Sequence, residues 1–452
     1  MSDTFDLIVI GAGPGGHALA EHAARHGART AIIEKNQWGG TCTHRGCIPT
    51  KALLVCSKRY ADLKKMKRLG IAVDQPSFDF TAMKRHQQQM VRISALGVEK
   101  SLREAGVALK AGVGKMLSPR EVQWTDAAGN AQTLWSEHIV IAWGSEPALP
   151  PGIETSSRIL TSDGFLQLGS LPESMIIVGG SVIGVEFATF LAELGVKVTL
   201  IELLAQILPY EDENAAALVK QELARMGVAI HDSTTLKTIH ETTDGVRATV
   251  MRQGRDFEMT ADAALICAGR KPLLDHEQLN RLGIRYDRKG IVVDARQMTN
   301  IAGIYAIGDV TGGIMLAHRA MQQGKVLASA LFGDGSLIYS ETSVPSVVYS
   351  HPQVAHVGLS EKEAGLQSLA VEVVQSDYAA NIIARSELMG QGFVKLLFHE
   401  HQLIGATIVG ENAADIIASM SLALANGLGK RELNKWIIPH PTLSEMLILP
   451  PA

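Results

Sequence analysis

The sequence predicts an α/β protein with two Rossmann-like βαβ units followed by a C-terminal α+β domain. Three observations predict it. A βαβ pattern at residues 6–35 returns at residues 174–203. After residue 340 the texture changes to strands followed by helices. The chain has 452 residues with 46% hydrophobic content, too long for one core and too apolar for a disordered chain.

The first pattern, "DLIVIGAGPGGHALAEHAARHGARTAIIEK", reads as an apolar strand, a Gly-rich turn, an amphipathic helix, a glycine, and a second apolar strand ending at Glu34. The second, "SMIIVGGSVIGVEFATFLAELGVKVTLIEL", repeats these parts and ends at Glu202. The interval from Gly11 to Glu34 equals that from Gly179 to Glu202. In each turn, glycines permit a tight bend and a close approach to a pyrophosphate, which then faces a helix N-terminus. The acid at the second strand's end accepts from a ribose 2′-OH. One unit alone reads equally as an ordinary crossover; two in register, each with its acid, predict two dinucleotides. Glu202 would repel a 2′-phosphate, and Leu203 and Leu204 follow it with no Arg, so the second unit reads as NAD-binding rather than NADP-binding. Ser181 stands where the fingerprint has its middle glycine, which places a Cβ where the pyrophosphate approaches.

Between the units lies "GGTCTHRGCIPTKALL", with four residues between Cys42 and Cys47. Such a pair reads as a metal half-site, a structural disulfide or a redox pair. Four cysteines (42, 47, 56 and 267) are too few for a disulfide scaffold. A metal site would need more ligands, and only His44 and Cys56 stand nearby. A helix is expected from "IPTKALLVCSKRYADL", with Pro49 in its first turn, and a thiol at a helix N-terminus has its thiolate stabilised.

The remaining composition excludes partners rather than naming them. A net charge of −4 offers nothing to nucleic acid or an anionic membrane. No apolar run approaches the roughly 20 residues of a membrane span. The N-terminus lacks a basic region and enters a strand at once, so a cytoplasmic protein is expected. The basic run "SKRYADLKKMKRLG" at 57–70 reads as a solvated helix face, with an acidic docking partner as the alternative.

Several of these stretches together resemble the class I pyridine nucleotide–disulfide oxidoreductases along essentially the whole chain. "GGTCTHRGCIPTKALL" resembles that family's redox disulfide segment, "IYAIGDV" (304–310) its second flavin motif, and "MLAHRA" (315–320) the segment over the flavin edge. "VVYSHPQVAHVG" resembles the start of its dimerisation domain, and "HPTLSE" (440–445) its C-terminal base motif. Within the family the likeness is nearest the dihydrolipoyl-oxidising branch. It implies four segments: an FAD-binding domain at 1–146, an NAD-binding domain at 147–272, a segment completing the FAD site at 273–342 and an interface domain at 343–452. It also implies FAD and NAD as cofactors, a homodimer, a lipoyl-carrying partner, and no metal.

The resemblance assigns roles residue by residue. Cys47 becomes the sulfur beside the flavin, and Cys42 the interchange sulfur that meets the substrate dithiol. His440, from the partner subunit in this family, is the base, and Glu445 orients it. Lys51, one helical turn after Cys47, resembles the lysine near the flavin and is expected to pair with Glu186. FAD is expected against Gly11, Gly13, Gly15, Gly16, Glu34, Lys35, Gly40, Thr41, Lys51, Gly114, Ala142, Gly144, Ser145, Asp309, Met315, Ala317 and His318. NAD is expected against Gly179, Gly180, Ile183, Gly184, Glu202 and Gly269. The implied reaction oxidises a protein-bound dihydrolipoyl group with NAD+.

The sequence departs from the family at Ser181, at Trp143 (usually Thr), and at Ile438, where a histidine usually precedes the base motif. The chain also runs only seven residues past Glu445, so unusual dimer contacts are expected. Rival readings are a glutathione-type reductase, opposed by Glu202, and a mercuric-type reductase, opposed by the lack of any cysteine after Cys267. A soluble transhydrogenase would lack the full cysteine pair. A redox-sensing flavoprotein of low turnover would have no use for the HPTLSE base.

Overall fold

The computed structural model describes residues 3–450, which divide into two compact units. The first unit gathers the chain up to Ala52 with Thr81–Ala148 and Arg270–Tyr339; the second gathers Leu53–Phe80, Leu149–Gly269 and the chain from Ser340.

The first unit is built on a seven-stranded sheet. Its order is Ala108–Ala111, Thr30–Glu34, Asp3–Ile10, Ala131–Ile141, Glu121–Thr125 and Val113–Ser118, with Ile304–Ala306 paired in parallel to Ala131–Ile141. Leu7, Ile8 and Val9 are all fully buried. Such a continuous apolar run marks a central strand covered on both faces. The helix Pro14–Arg25 starts with proline, whose missing N–H costs nothing in a first turn, and buries Ala18, Leu19, Ala20 and Ala23. The helix Ala317–Phe332 crosses it backbone to backbone. A Cβ on Gly324 would stand 2.6 Å from the Gly15 carbonyl oxygen. Only glycine allows that approach, and it brings the Ala317 end to the first glycine turn.

The second unit repeats the parallel motif. Its five-stranded sheet runs Ala229–His231, Lys197–Ile201, Ser174–Val178, Ala263–Ile266 and Ile159–Thr161, all parallel. A three-stranded antiparallel sheet, Thr234–Glu241, Val246–Arg252 and Arg255–Ala261, shares a core with it through Val246, Ala248 and Val250. The chain after residue 340 forms a five-stranded antiparallel sheet in the order Ser346–Val348, Gln353–Gly358, Gln402–Gly410, Phe393–His399 and Glu372–Asp377. The helix Ala413–Ala425 covers it with Ile416, Ile417 and Met420. Among the described residues, no helix is long and apolar enough to cross a membrane.

Candidate active site

The first glycine turn is built from close approaches. Gly11 has φ 111°, and a Cβ there would lie 2.2 Å from the Ala142 carbonyl oxygen; one on Gly16 would lie 2.0 Å from the Gly11 carbonyl oxygen. Gly13 differs, because nothing stands within 4 Å of its Cβ position. The turn therefore leaves open space before the N-terminus of the helix Pro14–Arg25, where an anion fits. Glu34 closes the turn from below: Oε2 accepts the Ala12 N–H at 2.8 Å and Oε1 accepts the Asn36 N–H at 2.8 Å. Lys35 is exposed beside it. Gly114 serves packing, since a Cβ there would press on Ile33 at 3.1 Å.

The cysteine segment is seated on this turn. The Gly39 N–H donates to the Ala12 carbonyl at 3.0 Å, and a Cβ on Gly40 would lie 2.8 Å from Gly13 Cα. A short helix, Gly40–Arg45, starts there and carries Thr41 and Cys42. The second helix, Cys47–Leu63, begins at the cysteine itself. The sequence predicts only this second helix. The additional one brings Cys42 round to Cys47, and the two form a disulfide with a Cα–Cα distance of 4.7 Å. His44 donates through Nε2 to the Trp38 carbonyl at 2.9 Å. Cys56 lies within the long helix, where burial raises its thiol pKa.

Distant segments converge beside the turn. Ser145 Oγ donates to Asp309 Oδ2 at 2.5 Å. Arg270 grips the same serine, donating through Nε to Oγ and through its terminal nitrogen to the carbonyl, both at 2.8 Å. The Gly308 N–H donates to Gln323 Oε1 at 2.8 Å. Met315, Ala317 and His318 surround the start of the helix Ala317–Phe332. Ala142 and Gly144 precede Ser145, and Gly144 takes φ 78°. Trp143 packs on the cluster that contains Ile8, Ile33 and Ile141. Arg270 and Gln323 were missed by sequence reasoning. Arg270 directly follows Gly269, so its position was visible; its target was not.

The second unit reproduces the turn. Gly179 has φ 107° with its Cβ position 2.3 Å from the Cys267 carbonyl oxygen, and Gly184 stands 1.9 Å from the Gly179 carbonyl oxygen by the same measure. Glu202 Oε2 accepts the Gly180 N–H at 2.6 Å, and Oε1 the Leu204 N–H at 2.8 Å. Ser181 keeps the backbone of Gly13, with φ −75° and ψ −177° against −66° and −179°. Its hydroxyl donates to the Cys267 carbonyl at 3.2 Å. The serine therefore leaves the turn unstrained. Ile183 is half-buried, and Gly269 takes φ 104° with open space around it.

Three further candidates, Glu186, His440 and Glu445, lie in the second unit. Glu186 is buried and accepts the Tyr349 N–H at 3.0 Å. His440 Nδ1 meets Glu445 Oε1 at 2.7 Å, and Glu445 Oε2 accepts the Thr442 N–H at 3.1 Å. These two bonds, the histidine's first, hold the Glu445 carboxyl below its ordinary range. His440 itself is 77% exposed. Asn381 Nδ2 donates to the Thr442 carbonyl at 2.9 Å, and Leu443, Met446 and Leu447 anchor the segment in the core. Ile438 packs on the same core.

Comparison with known proteins agrees with this geometry over both units. A family model described as pyridine nucleotide-disulphide oxidoreductase matches residues 5–324, and that family's dimerisation domain matches residues 344–449. A dihydrolipoyl dehydrogenase of Chlamydia pneumoniae is 36% identical over 99% of this chain and 96% of its own length. One of Geobacillus stearothermophilus is 35% identical over 98% of this chain and 94% of its own. Among solved structures, LpdA from Mycobacterium tuberculosis superposes with a TM-score of 0.91 at 27% identity, covering 98% of each chain. The HOCl-induced flavoprotein disulfide reductase RclA from Escherichia coli does so with a TM-score of 0.85 at 28% identity, also covering 98% of each chain.

Proposed function

The chain belongs to the pyridine nucleotide-disulphide oxidoreductases, and from that premise we propose that it oxidises a protein-bound dihydrolipoyl group with NAD+. Its cofactors are FAD and NAD. We assign the FAD to the first turn with Glu34, Gly40–Thr41, Ser145, Asp309 and the Met315–His318 segment, and the NAD to the second turn with Glu202 and Gly269. When bound, the flavin supplies a two-electron relay between nicotinamide and disulfide. The observation that carries the reading is the seating of the Cys42–Cys47 disulfide on the first dinucleotide turn, through Gly39 and Gly40. Disulfide and nucleotide then share one rigid support.

The chain's own residues would act as follows. One substrate thiolate attacks Cys42 Sγ, breaking the bond to Cys47 and forming a mixed disulfide. The second substrate thiolate attacks its partner sulfur, closes the lipoyl ring and releases Cys42. The cysteine pair has then gained the two electrons the substrate lost. Free thiols are mostly protonated at neutral pH, so both attacks need a base. His440 is assigned that proton, with Glu445 fixing its ring by the 2.7 Å bond. In a homodimer formed through the dimerisation domain, the partner subunit supplies this pair, in keeping with the exposure of His440. The four-segment division at 146, 272 and 342 is part of the same proposal.

The likeness to RclA supports a second reading, a disulfide reductase with another substrate. Steady-state turnover of dihydrolipoamide with NAD+ and with NADP+, on FAD-loaded protein and its Cys47→Ser variant, separates the two. Turnover that needs NAD+ and vanishes in the variant supports lipoyl oxidation. FAD-loaded protein that reduces other disulfides with NADH but ignores dihydrolipoamide rejects it.

A further inference from the structure

The segment that follows Glu202 links the second glycine turn to the C-terminal sheet. At its near end it braces the turn: the Leu208 N–H donates to the Gly180 carbonyl at 2.7 Å, and a Cβ on Gly180 would come within 2.9 Å of Ile207. Leu208 takes φ 50°, a left-handed conformation that a leucine adopts only under constraint. The far end of the segment is fixed as well. There Glu211 and Asp212, both buried, are gripped by two residues of the C-terminal sheet.

His356 Nδ1, on the strand Gln353–Gly358, meets Glu211 Oε2 at 2.5 Å. Lys395 Nζ, on the strand Phe393–His399, meets Asp212 Oδ2 at 2.8 Å and Glu361 Oε1 at 2.5 Å. Asp212 Oδ1 also caps the helix Glu213–Arg225 by accepting from Asn214 and Ala215. The Glu211 N–H donates to the Leu208 carbonyl at 2.9 Å, and Gln206 ties the carbonyls of Leu208 and Glu211 at 3.3 Å each. A continuous chain of bonds thus runs from His356 through Glu211, Leu208 and Gly180 to Glu202. Burying charges is costly, and replacing buried pairs by apolar residues is often neutral or stabilising. Stability alone therefore does not account for this grip.

We propose that His356 and Lys395 are positioning residues for the pyridine nucleotide, through which the dimerisation domain sets the shape of the second glycine turn. This rests on the assignment of NAD to that turn. Coupling of this kind is reciprocal, so bound nucleotide also tightens the grip.

The test is calorimetric titration of NADH into the FAD-loaded full chain and two variants, each fully reduced beforehand with dithionite so that bound NADH has no acceptor for its hydride. His356→Gln keeps a donor toward Glu211 without the charge. Asp212→Asn with Lys395→Met removes the second pair together, so that neither partner is left as a lone buried charge. We expect the NADH dissociation constant to rise about fivefold in the first and about tenfold in the second, within the usual range of coupling. The KM for NAD+ should rise with little change in kcat. Stoichiometric reduction of the Cys42–Cys47 disulfide by dihydrolipoamide without NAD+ should be unchanged. Intact dimers of both variants that bind NADH like the parent overturn the proposal. So do variants that lose FAD or dissociate, because the grip would then serve the fold and not the turn. A parent that takes no NADH overturns the nucleotide assignment itself.

Discussion

The two βαβ units make the same turn and put it to different uses. In both, a glycine with positive φ lies under a strand-end carbonyl, and an acid accepts one N–H from the turn and one from two residues beyond itself. In both, a carbonyl of the turn accepts an N–H from the segment after the acid: Gly39 to Ala12 at 3.0 Å and Leu208 to Gly180 at 2.7 Å. From that point the units diverge. The first segment leads within one residue to the helix that carries Cys42. The second leads to Glu211 and Asp212 and their partners on the C-terminal sheet. A common nucleotide-holding geometry thus takes its role from what the next segment delivers: a redox group in one unit, an anchor in the other.

The sharpest way to break the equivalence is to spoil each turn in turn. Gly11→Ala and Gly179→Ala each drive a Cβ to within 2.3 Å of a carbonyl oxygen while demanding a left-handed backbone of alanine. Strain plus clash of about 3 kcal/mol corresponds to about 100-fold in affinity. Gly179→Ala should stay yellow, keep its FAD and lose NADH binding by about that factor in a calorimetric titration. Gly11→Ala should purify largely without FAD, read from its absorbance. Loss of FAD in Gly179→Ala would show that the turns are not independent.

The acids come next. Glu202→Gln keeps one acceptor but turns an amide N–H₂ toward a backbone donor, leaving the buried Gly180 N–H or the part-buried Leu204 N–H unpaired. An unsatisfied buried donor costs about 1–3 kcal/mol, so NADH affinity should fall about tenfold, and the preference for NADH over NADPH should narrow. Glu34→Gln should weaken FAD by a comparable factor, measured as release on dilution. A Glu202→Gln variant that keeps its full preference would remove that glutamate from specificity.

A smaller effect separates the two braces by pH. Burial opposes the charged form of His356, but the hydrogen bond and charge of Glu211, then Glu363 and Asp212, outweigh it, so its pKa lies above 6.5. A raised pKa contributes stability that is complete below the unfolded value and is lost as pH climbs through the folded one. NADH affinity and melting temperature should therefore decline from about pH 6.5 upward in the parent and less in His356→Gln. FAD retention should be flat over the same range, because the first brace is a backbone hydrogen bond between Gly39 and Ala12. An identical pH profile in parent and variant would leave the imidazolium without a part in the grip.

How far the sequence carried this reading depended on locality. The glycine turns, their acids and the cysteine helix were legible because each is a short-range pattern whose spacing is set by strand and helix geometry. The HPTLSE segment was equally legible, and its His440–Glu445 bond joins residues five apart. What stayed hidden was long-range pairing between chemically ordinary residues. Arg270 reaches Ser145, and His356 and Lys395 reach Glu211 and Asp212, across sequence separations of 125, 145 and 183. A lone arginine, histidine or lysine in a strand reads as solvent-facing until the fold supplies its partner. Trp143 and Ile438 depart from the family pattern, and each packs against a hydrophobic cluster.

The smallest expected effect tests one of the positions at which the two turns differ. Ser181 occupies the place of Gly13, and from sequence its Cβ stands in the path of the pyrophosphate. Its backbone is extended, however, within about ten degrees of that of Gly13, so no glycine is required there. Its hydroxyl turns back to the Cys267 carbonyl, the same strand-end oxygen that Gly179 approaches. Ser181→Gly should therefore change NADH affinity by less than about twofold, a weak hydrogen bond lost against a little room gained. Tightening by tenfold or more would mean that the side chain acts as a brake on nucleotide binding. The difference between the units would then begin in the turn itself, before the segments that follow it diverge.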